Sequence, residues 1–297
     1  MKSLGSMTSI ALLTMALVFA TAPDASADPR GVFVVRCAYS HSLPDDPILH
    51  PGEPGASHLH DFFGNTTTNA MSTIGEMRHG TTTCVFARDT AGYWFPAAYL
   101  GDTPVVPTFS KTYYFGVAGS VVEPIPRGLQ LVGGDAAATS GAQNVHVSWH
   151  CGAKGTDRTP KADHPYDCTR YANRWSFVDG LVGRVEFPSC WDGIGLGPTD
   201  LAYPVRGACP AGYGHRLPLV RMQVHFGILD PCAGAAPCRP GGAGDNVTLR
   251  LASGPYYTLH ADFWNTWRQV SLERLIERCL NEHVLCGNVR TGPGSRT

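Results

Sequence analysis

Two histidines separated by one residue, with a carboxylate next to them, form the densest group of potentially reactive side chains in the sequence. The segment reads HLHDFFGN over residues 58–65. In an extended chain His58 and His60 project from the same face. The two imidazoles could then share a metal ion, and Asp61 could orient one of them or act as a base. The same side chains could equally hold a loop in place through hydrogen bonds.

Two further segments combine carboxylates with aromatic rings. YTLHADFWNTW, residues 257–267, contains His260, Asp262 and Trp264, and FPSCWDG, residues 187–193, contains Trp191 and Asp192. Exposed aromatic faces can stack on the C–H faces of sugars, while neighbouring polar groups bind hydroxyls. The alternative is that the tryptophans are core residues. These segments are compatible with sugar recognition and with a place in the core.

The residue types allow two ways of cleaving a glycan. A glycoside hydrolase needs two carboxyl groups, about 5–5.5 Å apart for retention or about 6.5–9.5 Å apart for inversion, and the candidates are Asp61, Asp192 and Asp262. A polysaccharide lyase needs a base, an acid and a cation near the uronate. The candidate bases are His60, His225 and His260, and Lys111 and Tyr113 could supply the cation and the acid.

Two alternatives lie outside glycan cleavage. A non-catalytic glycan-binding or wall-associated module would need the aromatic platform alone. A metal-dependent enzyme would use His58 and His60 together with His225 or His260. The glycan-cleaving interpretation is the first hypothesis, and it assigns no metal and no other cofactor.

The predicted site draws on distant segments, which we expect to converge on one cleft. The candidate catalytic residues are His60, Asp61, His225, His260 and Asp262. The candidate substrate-binding residues are His58, Asn65, Lys111, Tyr113, Trp191, Asp192 and Trp264.

Short β-type segments bounded by Gly and Pro recur along the chain, and they predict an antiparallel β-sandwich or jelly-roll-like domain that is mainly β. Pro96 predicts an edge or a bulge within one of them. The predicted strands lie in residues 31–37, 93–100, 111–117, 145–150, 218–226 and 247–251.

One C-terminal α-helix is expected, with Ser271 as its cap. Its apolar residues recur at helical spacing, which predicts that one stripe of the helix packs against the sheet. That stripe consists of Leu272, Leu275, Ile276, Cys279 and Leu280.

The N-terminal segment and the charge balance predict the compartment and the partners. Residues 1–27 have the layout of a secretory signal peptide, with a short apolar run before Ala25-Ser26-Ala27. Residues 28–297 are then predicted to form a single secreted domain. The net charge of −1, from 23 basic and 24 acidic residues, creates no field that would attract nucleic acid or an anionic membrane. The expected partner is an extracellular polysaccharide.

The ten cysteines all follow the signal segment, and an even number in an exported chain predicts five disulfides. The short separations of Cys232 from Cys238 and of Cys279 from Cys286 favour local bridges. For the other six cysteines, the sequence only suggests pairing between neighbours along the chain, as 37 with 84, 151 with 168 and 190 with 209.

Several of these segments together resemble one protein family. They are residues 36–70, 82–84, 93–99, 187–193, 216–226 and 257–267. They are similar to the secreted domain-of-unknown-function family with the HLHDFFG signature, whose fungal members are joined to WSC carbohydrate-binding domains and which also occurs in actinobacteria. The resemblance covers about Val35 to Cys279. It implies a secreted β-rich domain with a link to extracellular or wall glycans, and it implies no catalytic residues.

Overall fold

The computed structural model describes residues 30–153, 159–172, 178–232, 238–242 and 246–291. The predicted signal peptide, residues 1–27, lies outside these ranges. In the described residues, no helix is both long enough and apolar enough to span a membrane.

Within these ranges, a ten-stranded sheet forms the body of the protein, with the order β7-β16-β3-β2-β1-β6-β13-β9-β8 and with β17 beside β1. Neighbouring strands are antiparallel, except that β17 runs parallel to β1. The strands are β1 (Val32–Leu43), β2 (His60–Gly64), β3 (Gly92–Pro96), β6 (Phe109–Phe115), β7 (Gln130–Gly134), β8 (Val147–Ala153), β9 (Val178–Glu186), β13 (Leu219–His225), β16 (His260–Trp264) and β17 (Leu285–Asn288).

Two smaller sheets and a few short helices complete the described part of the chain. One small sheet has the order β11-β10-β12 and the other β15-β14-β4-β5. Their strands are β4 (Ala98–Leu100), β5 (Thr103–Val105), β10 (Cys190–Trp191), β11 (Leu201–Ala202), β12 (His215–Arg216), β14 (Leu249–Leu251) and β15 (Gly254–Pro255). The helices are α1 (Ile74–Met77), α2 (Thr169–Ala172) and α3 (Gln269–Leu275), and a π-helical turn, Ile276–Asn281, continues α3.

The main sheet curls so that its two ends enclose a common core. Tyr114 of β6 and Phe263 of β16 face each other across this core with ring centroids 6.3 Å apart. At the closing edge, a Cβ atom on Gly133 of β7 would lie 2.9 Å from the carbonyl oxygen of Glu186 in β9. Glycine is needed there because the two backbones approach too closely for a side chain. The predicted mainly β, antiparallel, disulfide-rich fold is confirmed.

A bulge in β1 determines which side chains reach the outer face of the sheet. Tyr39 is opposite Phe63, whereas His41 is opposite Phe62, so two residues of β1 cover one step of β2. Since side chains alternate between faces, the extra residue reverses the alternation. His41 therefore stacks on Phe62 outside the main core, with centroids 4.9 Å apart.

Residues 93–100 form two strands rather than one, and Pro96 is the last residue of β3. Of the two expectations for Pro96, an edge or a bulge, the edge is wrong, since β3 pairs with β2 on one side and with β16 on the other. Proline is tolerated because it stands at the strand end, where a missing N–H costs the ladder least.

All ten cysteines are paired, and the pairs are those of neighbours along the chain. The bridges join Cys37 to Cys84, Cys151 to Cys168, Cys190 to Cys209, Cys232 to Cys238 and Cys279 to Cys286. The first bridge attaches the core strand β1 to the segment between β2 and β3 and closes the longest loop. In the chain-entropy description, a disulfide that closes a longer loop removes more conformational entropy from the unfolded chain, so this bridge should stabilise the fold more than the other four.

The predicted C-terminal helix is present, and its apolar stripe is buried from Leu272 to Leu280. It begins earlier than expected, at Gln269 with Arg268 as the N-cap residue. Ser271 therefore lies within the first turn rather than at the cap, and this detail of the prediction is wrong. The apolar stripe, not the cap, determines where the helix lies, because packing dominates the stability of so short a helix.

A network of hydrogen-bonded polar side chains lies in the core, where β3, β6 and the residues before α3 meet. The Tyr93 hydroxyl donates to Asp89 at 2.8 Å and lies 2.9 Å from the Tyr114 hydroxyl. The indole N–H of Trp267 donates to both tyrosine oxygens. Burial raises the pKa of Asp89 to about 8. A protonated carboxyl is thus part of the folded core at neutral pH.

We predict that Asp89→Asn makes the free energy of unfolding less dependent on pH. The unfolded carboxyl has a pKa near 3.8, so between about pH 4 and pH 8 the unfolded chain has lost a proton that the folded chain keeps. The contribution of this carboxyl group to the free energy of unfolding is complete below about pH 4, and it is lost as the pH rises towards 8. Urea unfolding at several pH values should show the variant gaining stability relative to wild type as the pH rises. Equal slopes for the two proteins would contradict this assignment.

Candidate functional site

Three adjacent strands place His60, His260 and Asp262 on the outer face of the main sheet. β3 lies between β2 and β16, with His60 opposite Pro96 and Asp262 opposite Trp94. Residues two apart on a strand share a face, so His260 and Asp262 project to the same side as His60. This places two histidines that are 200 residues apart in sequence at the same end of the sheet.

The loop between β1 and β2, residues 44–59, brings the third histidine. Both oxygens of the Asp45 carboxylate bind backbone N–H groups, from Gly55 and Ala70. Asp46 accepts from the N–H groups of Ile48 and Leu49. These bonds anchor the loop to itself and to the neighbouring segment, and its last residues hold His58 over the end of the sheet.

The three imidazoles meet through their Nε2 atoms. The Nε2 atom of His260 lies 3.2 Å from that of His58 and 3.4 Å from that of His60. We call His58, His60 and His260 the histidine centre. One ligand atom from each residue lies within 4.8 Å of the other two.

The other ring nitrogens determine the tautomers of two of these histidines. Nδ1 of His60 lies 3.0 Å from the carbonyl oxygen of Asp45, and Nδ1 of His260 lies 2.9 Å from that of Thr258. A carbonyl only accepts, so each Nδ1 carries the proton and each Nε2 presents a lone pair. Two lone pairs thus face each other at 3.4 Å, and His58 can supply at most one proton to them.

Burial keeps the centre neutral. His60 is fully buried and His260 is 3% exposed, while His58 is partly exposed. Burial, together with His260 and His58, lowers the pKa of His60 well below its usual value. Burial also lowers the pKa of His260 to about 4, and it lowers the pKa of His58. At neutral pH the three side chains are uncharged imidazoles, which is the form that binds metals.

Two buried carboxylates lie next to His60. Ligand atoms of Asp46, His60 and Asp262 lie within 4.8 Å of one another. Asp262 is fully buried, and neither of its oxygens has a hydrogen-bond partner among the described residues. Burial, with the nearby Asp46, raises the pKa of Asp262 well above its usual value. A buried carboxyl group without a partner is unfavourable, and a cation at this end of the sheet would reduce that cost.

The spacing of the nitrogens fits a tetrahedral ion. Zn–N bonds of about 2.0–2.1 Å in tetrahedral geometry place two nitrogen ligands about 3.3 Å apart. The two closest Nε2 separations in the centre are 3.2 and 3.4 Å. The carbonyls of Asp45 and Thr258 provide the outer hydrogen bonds that metal-binding histidines usually make. The histidine centre can therefore hold Zn²⁺ or a similar divalent ion.

Asp61 and Asn65 were predicted with this group but face elsewhere. Asp61 alternates with His60 along β2 and accepts a hydrogen bond of 2.6 Å from Ser42. Burial raises the pKa of Asp61 to about 6, and the Ser42 bond opposes that rise. The buried Asn65 donates to the carbonyls of Met77 and Thr90 and therefore ties down the turn after β2. Both side chains have structural partners.

The two tryptophans predicted to bind substrate, Trp264 and Trp191, lie in two different parts of the structure. Trp264 is buried in a small apolar cluster with Phe62 and Trp94, on the outer face beside the histidine centre, and its N–H donates to the Gly128 carbonyl. Trp191 and Asp192 belong instead to the three-stranded sheet around β10. They are not part of the histidine centre.

His225, Lys111 and Tyr113 come together in a different place, an open groove on the outer face of β1, β6 and β13. Two strands, β1 and β6, separate β13 from β2, so His225 is roughly 14 Å from His60 in the hydrogen-bonding direction of the sheet. The expectation that His60, His225 and His260 share one cleft therefore holds for His60 and His260 and not for His225.

The histidine centre and the groove each contain residues that the sequence analysis did not predict. Asp46 approaches the histidine centre through a loop, and no periodic pattern of the sequence points to it. Arg221 and Gln223 line the groove with His225, and the alternation of residues 219–226 could have identified them. Residues on a strand can be identified because side chains alternate with a fixed period, whereas a loop residue such as Asp46 follows no period.

The fold and the site define a disulfide-bonded, antiparallel β protein with a buried three-histidine centre on its sheet. The chain matches the family model described as a domain of unknown function, DUF1996, over residues 46–267. It therefore belongs to that family. Comparison with curated proteins and with solved structures found no match.

We predict a structural role for Asp192. Its carboxylate accepts from the N–H groups of Ile194 and Gly195 at 2.8 and 3.2 Å, which shapes the turn after β10. Asp192→Ala should lower the free energy of unfolding by about 1 kcal/mol, the usual net value of such bonds, and should leave zinc binding unchanged. Denaturant unfolding and zinc titration measure the two effects. Unchanged stability with impaired zinc binding would refute the structural assignment.

Proposed function

We propose that this chain is an extracellular metal-dependent hydrolase that acts on polysaccharide, with His58, His60 and His260 as the ligands of its metal ion. The observation that carries the proposal is the pair of buried Nε2 lone pairs of His60 and His260, 3.4 Å apart. Each ring has its proton committed to a backbone carbonyl. A divalent cation explains why such an arrangement is stable.

The ligand set favours a catalytic ion over a purely structural one. Three protein ligands leave a fourth coordination position open, as in catalytic zinc sites, whereas structural zinc sites are usually closed by four. A zinc ion bound there would lower the pKa of a coordinated water and polarise a substrate oxygen. Because His58 is the most exposed of the three histidines, we place the substrate on its side of the centre.

The remaining residues support the ligands. The Asp45 and Thr258 carbonyls hold the rings of His60 and His260 in orientation. Phe62, Trp94 and Trp264 form an apolar cluster on the same face of the sheet, beside the centre. Asp46 and Asp262 place two buried carboxyl groups next to His60. Burial raises the pKa of both groups, and a cation bound beside them would favour their ionised form.

Metal chemistry is favoured over a glycosidase that uses two carboxylates. Asp61 and Asp262 project to opposite faces of the sheet, since Asp61 alternates with the strand residues that share a face with Asp262. Asp192 lies in the turn after β10, outside the main sheet. Asp46 and Asp262 are close together but buried, so they do not flank a bound sugar from both sides as the two-carboxylate mechanism requires.

The polysaccharide substrate and the extracellular location rest on other support. The N-terminal segment has the layout of an export signal. Five disulfides favour an oxidising compartment. The resemblance to the HLHDFFG family, with its fusions to WSC carbohydrate-binding domains, supports the glycan link. Secretion and polysaccharide action thus belong to the proposal.

We predict that the mature protein binds one zinc ion per chain and that His58→Ala abolishes stoichiometric binding. Loss of a ligand should weaken affinity by more than the roughly 10–100-fold typical of an outer hydrogen-bonding partner. His58 is the preferred target because it is partly exposed and lies in a loop, so the fold should survive. Elemental analysis and calorimetric titration measure binding, and circular dichroism checks the fold.

The matched control is His79→Ala, which removes an exposed histidine outside the centre. This variant should bind zinc as wild type does. Equal zinc binding by wild type and His58→Ala, with both folded, would overturn the assignment of the centre.

We predict that chelator treatment abolishes polysaccharide hydrolysis and that added zinc restores it. Wild type and His79→Ala should release reducing ends or acyl groups from at least one of a panel of neutral, acylated and acidic polysaccharides. His58→Ala should not. Products with the ultraviolet absorbance of an unsaturated uronate, formed equally without metal, would instead indicate elimination in the groove that contains His225.

A further inference from the structure

A second feature of the outer face has no role in the proposed hydrolysis. It is the groove of about 540 Å³ on strands β1, β6 and β13. Its volume falls within the range of about 300–1,000 Å³ that small-molecule sites occupy. Strand register brings its polar side chains together, since Lys111 is opposite Gln223 and Tyr113 is opposite Arg221.

The groove is rich in positive charge, although the whole chain has a net charge of −1. The basic residues among its described lining are Arg30, Lys111, Lys161 and Arg221, and Arg221 is paired with the Glu186 carboxylate at 2.8 Å. Asp179 is the one carboxylate among the described lining residues. Excess positive charge in a concave site concentrates the field and attracts anions.

Aromatic rings lie among these cations. The rings of Tyr113 and Phe115 are nearly parallel, with centroids 5.9 Å apart. The guanidinium of Arg221 lies 4.6 Å from the centroid of Phe115, and the ammonium of Lys111 lies 5.3 Å from that of Phe109. Of these rings, Tyr113 and Phe115 line the groove, where they can contact the C–H surface of a sugar beside the ammonium of Lys111.

His225 supplies the observation that points to a ligand. It is 2% exposed, lines the groove, and neither of its ring nitrogens has a hydrogen-bond partner among the described residues. Asp179 is its nearest carboxylate, at 3.8 Å. Burial, with Lys111, His150 and Arg36, lowers the pKa of His225 well below its usual value. A buried neutral imidazole without partners is costly unless a ligand or solvent group satisfies it.

A glycine keeps this end of the groove close to His225. A Cβ atom on Gly152 of β8 would lie 3.0 Å from the Cβ of Asp179 and 3.4 Å from Nδ1 of His225. Glycine at position 152 therefore leaves space beside Nδ1 of His225 that a side chain would fill.

From this geometry we infer that the groove binds a segment of an acidic polysaccharide, with a uronate carboxylate at Lys111, sugar faces on the aromatic rings, and a hydroxyl at His225. The choice of a carboxylated sugar chain rests on charge complementarity together with the aromatic and neutral polar groups. The inference concerns binding alone and does not require the histidine centre.

The test compares the binding of polygalacturonate and of neutral dextran to the mature protein by calorimetry. Wild type should bind polygalacturonate and not dextran, and its affinity should fall as salt is added. Lys111→Gln should weaken binding by about 10-fold or more, the usual effect of losing a charge-assisted hydrogen bond. Lys111→Arg, which keeps the charge, should retain most of the affinity.

Two controls separate this groove from the rest of the protein. Arg274→Gln removes the same charge from an exposed position on α3 and should bind like wild type. His58→Ala should lose zinc and still bind polygalacturonate, so failure of the metal proposal and failure of this inference give different results. Wild-type affinity in a folded Lys111→Gln, or equal affinity for dextran, would overturn the inference. Equal or tighter binding of single-stranded DNA would also overturn it.

Discussion

Two imidazole nitrogens that can only accept a proton or a metal ion are held 3.4 Å apart in the interior of this protein. Such a contact is repulsive, so the surrounding structure must impose it. The adjacent strands β2, β3 and β16 place His60 and His260 at one level, and backbone carbonyls orient both rings. Formation of the centre thus depends on the same antiparallel register that forms the core.

The loop of residues 44–59 completes the centre, and it is held by carboxylates rather than by strand pairing. Asp45 and Asp46 bind backbone N–H groups within and beside the loop. Ile48 packs into the apolar cluster on the outer face. These two kinds of anchor hold His58 over His260 while its side chain stays partly exposed to solvent.

The outer face of the sheet carries two candidate sites that differ chemically. The histidine centre is buried, neutral and next to carboxylates, which suits a cation. The groove on β1, β6 and β13 is open and rich in cations, which suits an anion. Strands β1 and β6 separate the strand of His225 from that of His60, so the two imidazole sites are surrounded by different charged groups.

Much of this fold follows from local patterns in the sequence. Short β-type segments predicted β6 and β13, the apolar stripe predicted the C-terminal helix, and nearness along the chain suggested the disulfides, because these are properties of local sequence. The motifs also drew attention to His58, His60, His260 and Asp262. Only the tertiary structure decided that these meet while His225 lies in the groove and Asp61 faces away, since strand order and loop path depend on contacts between distant residues.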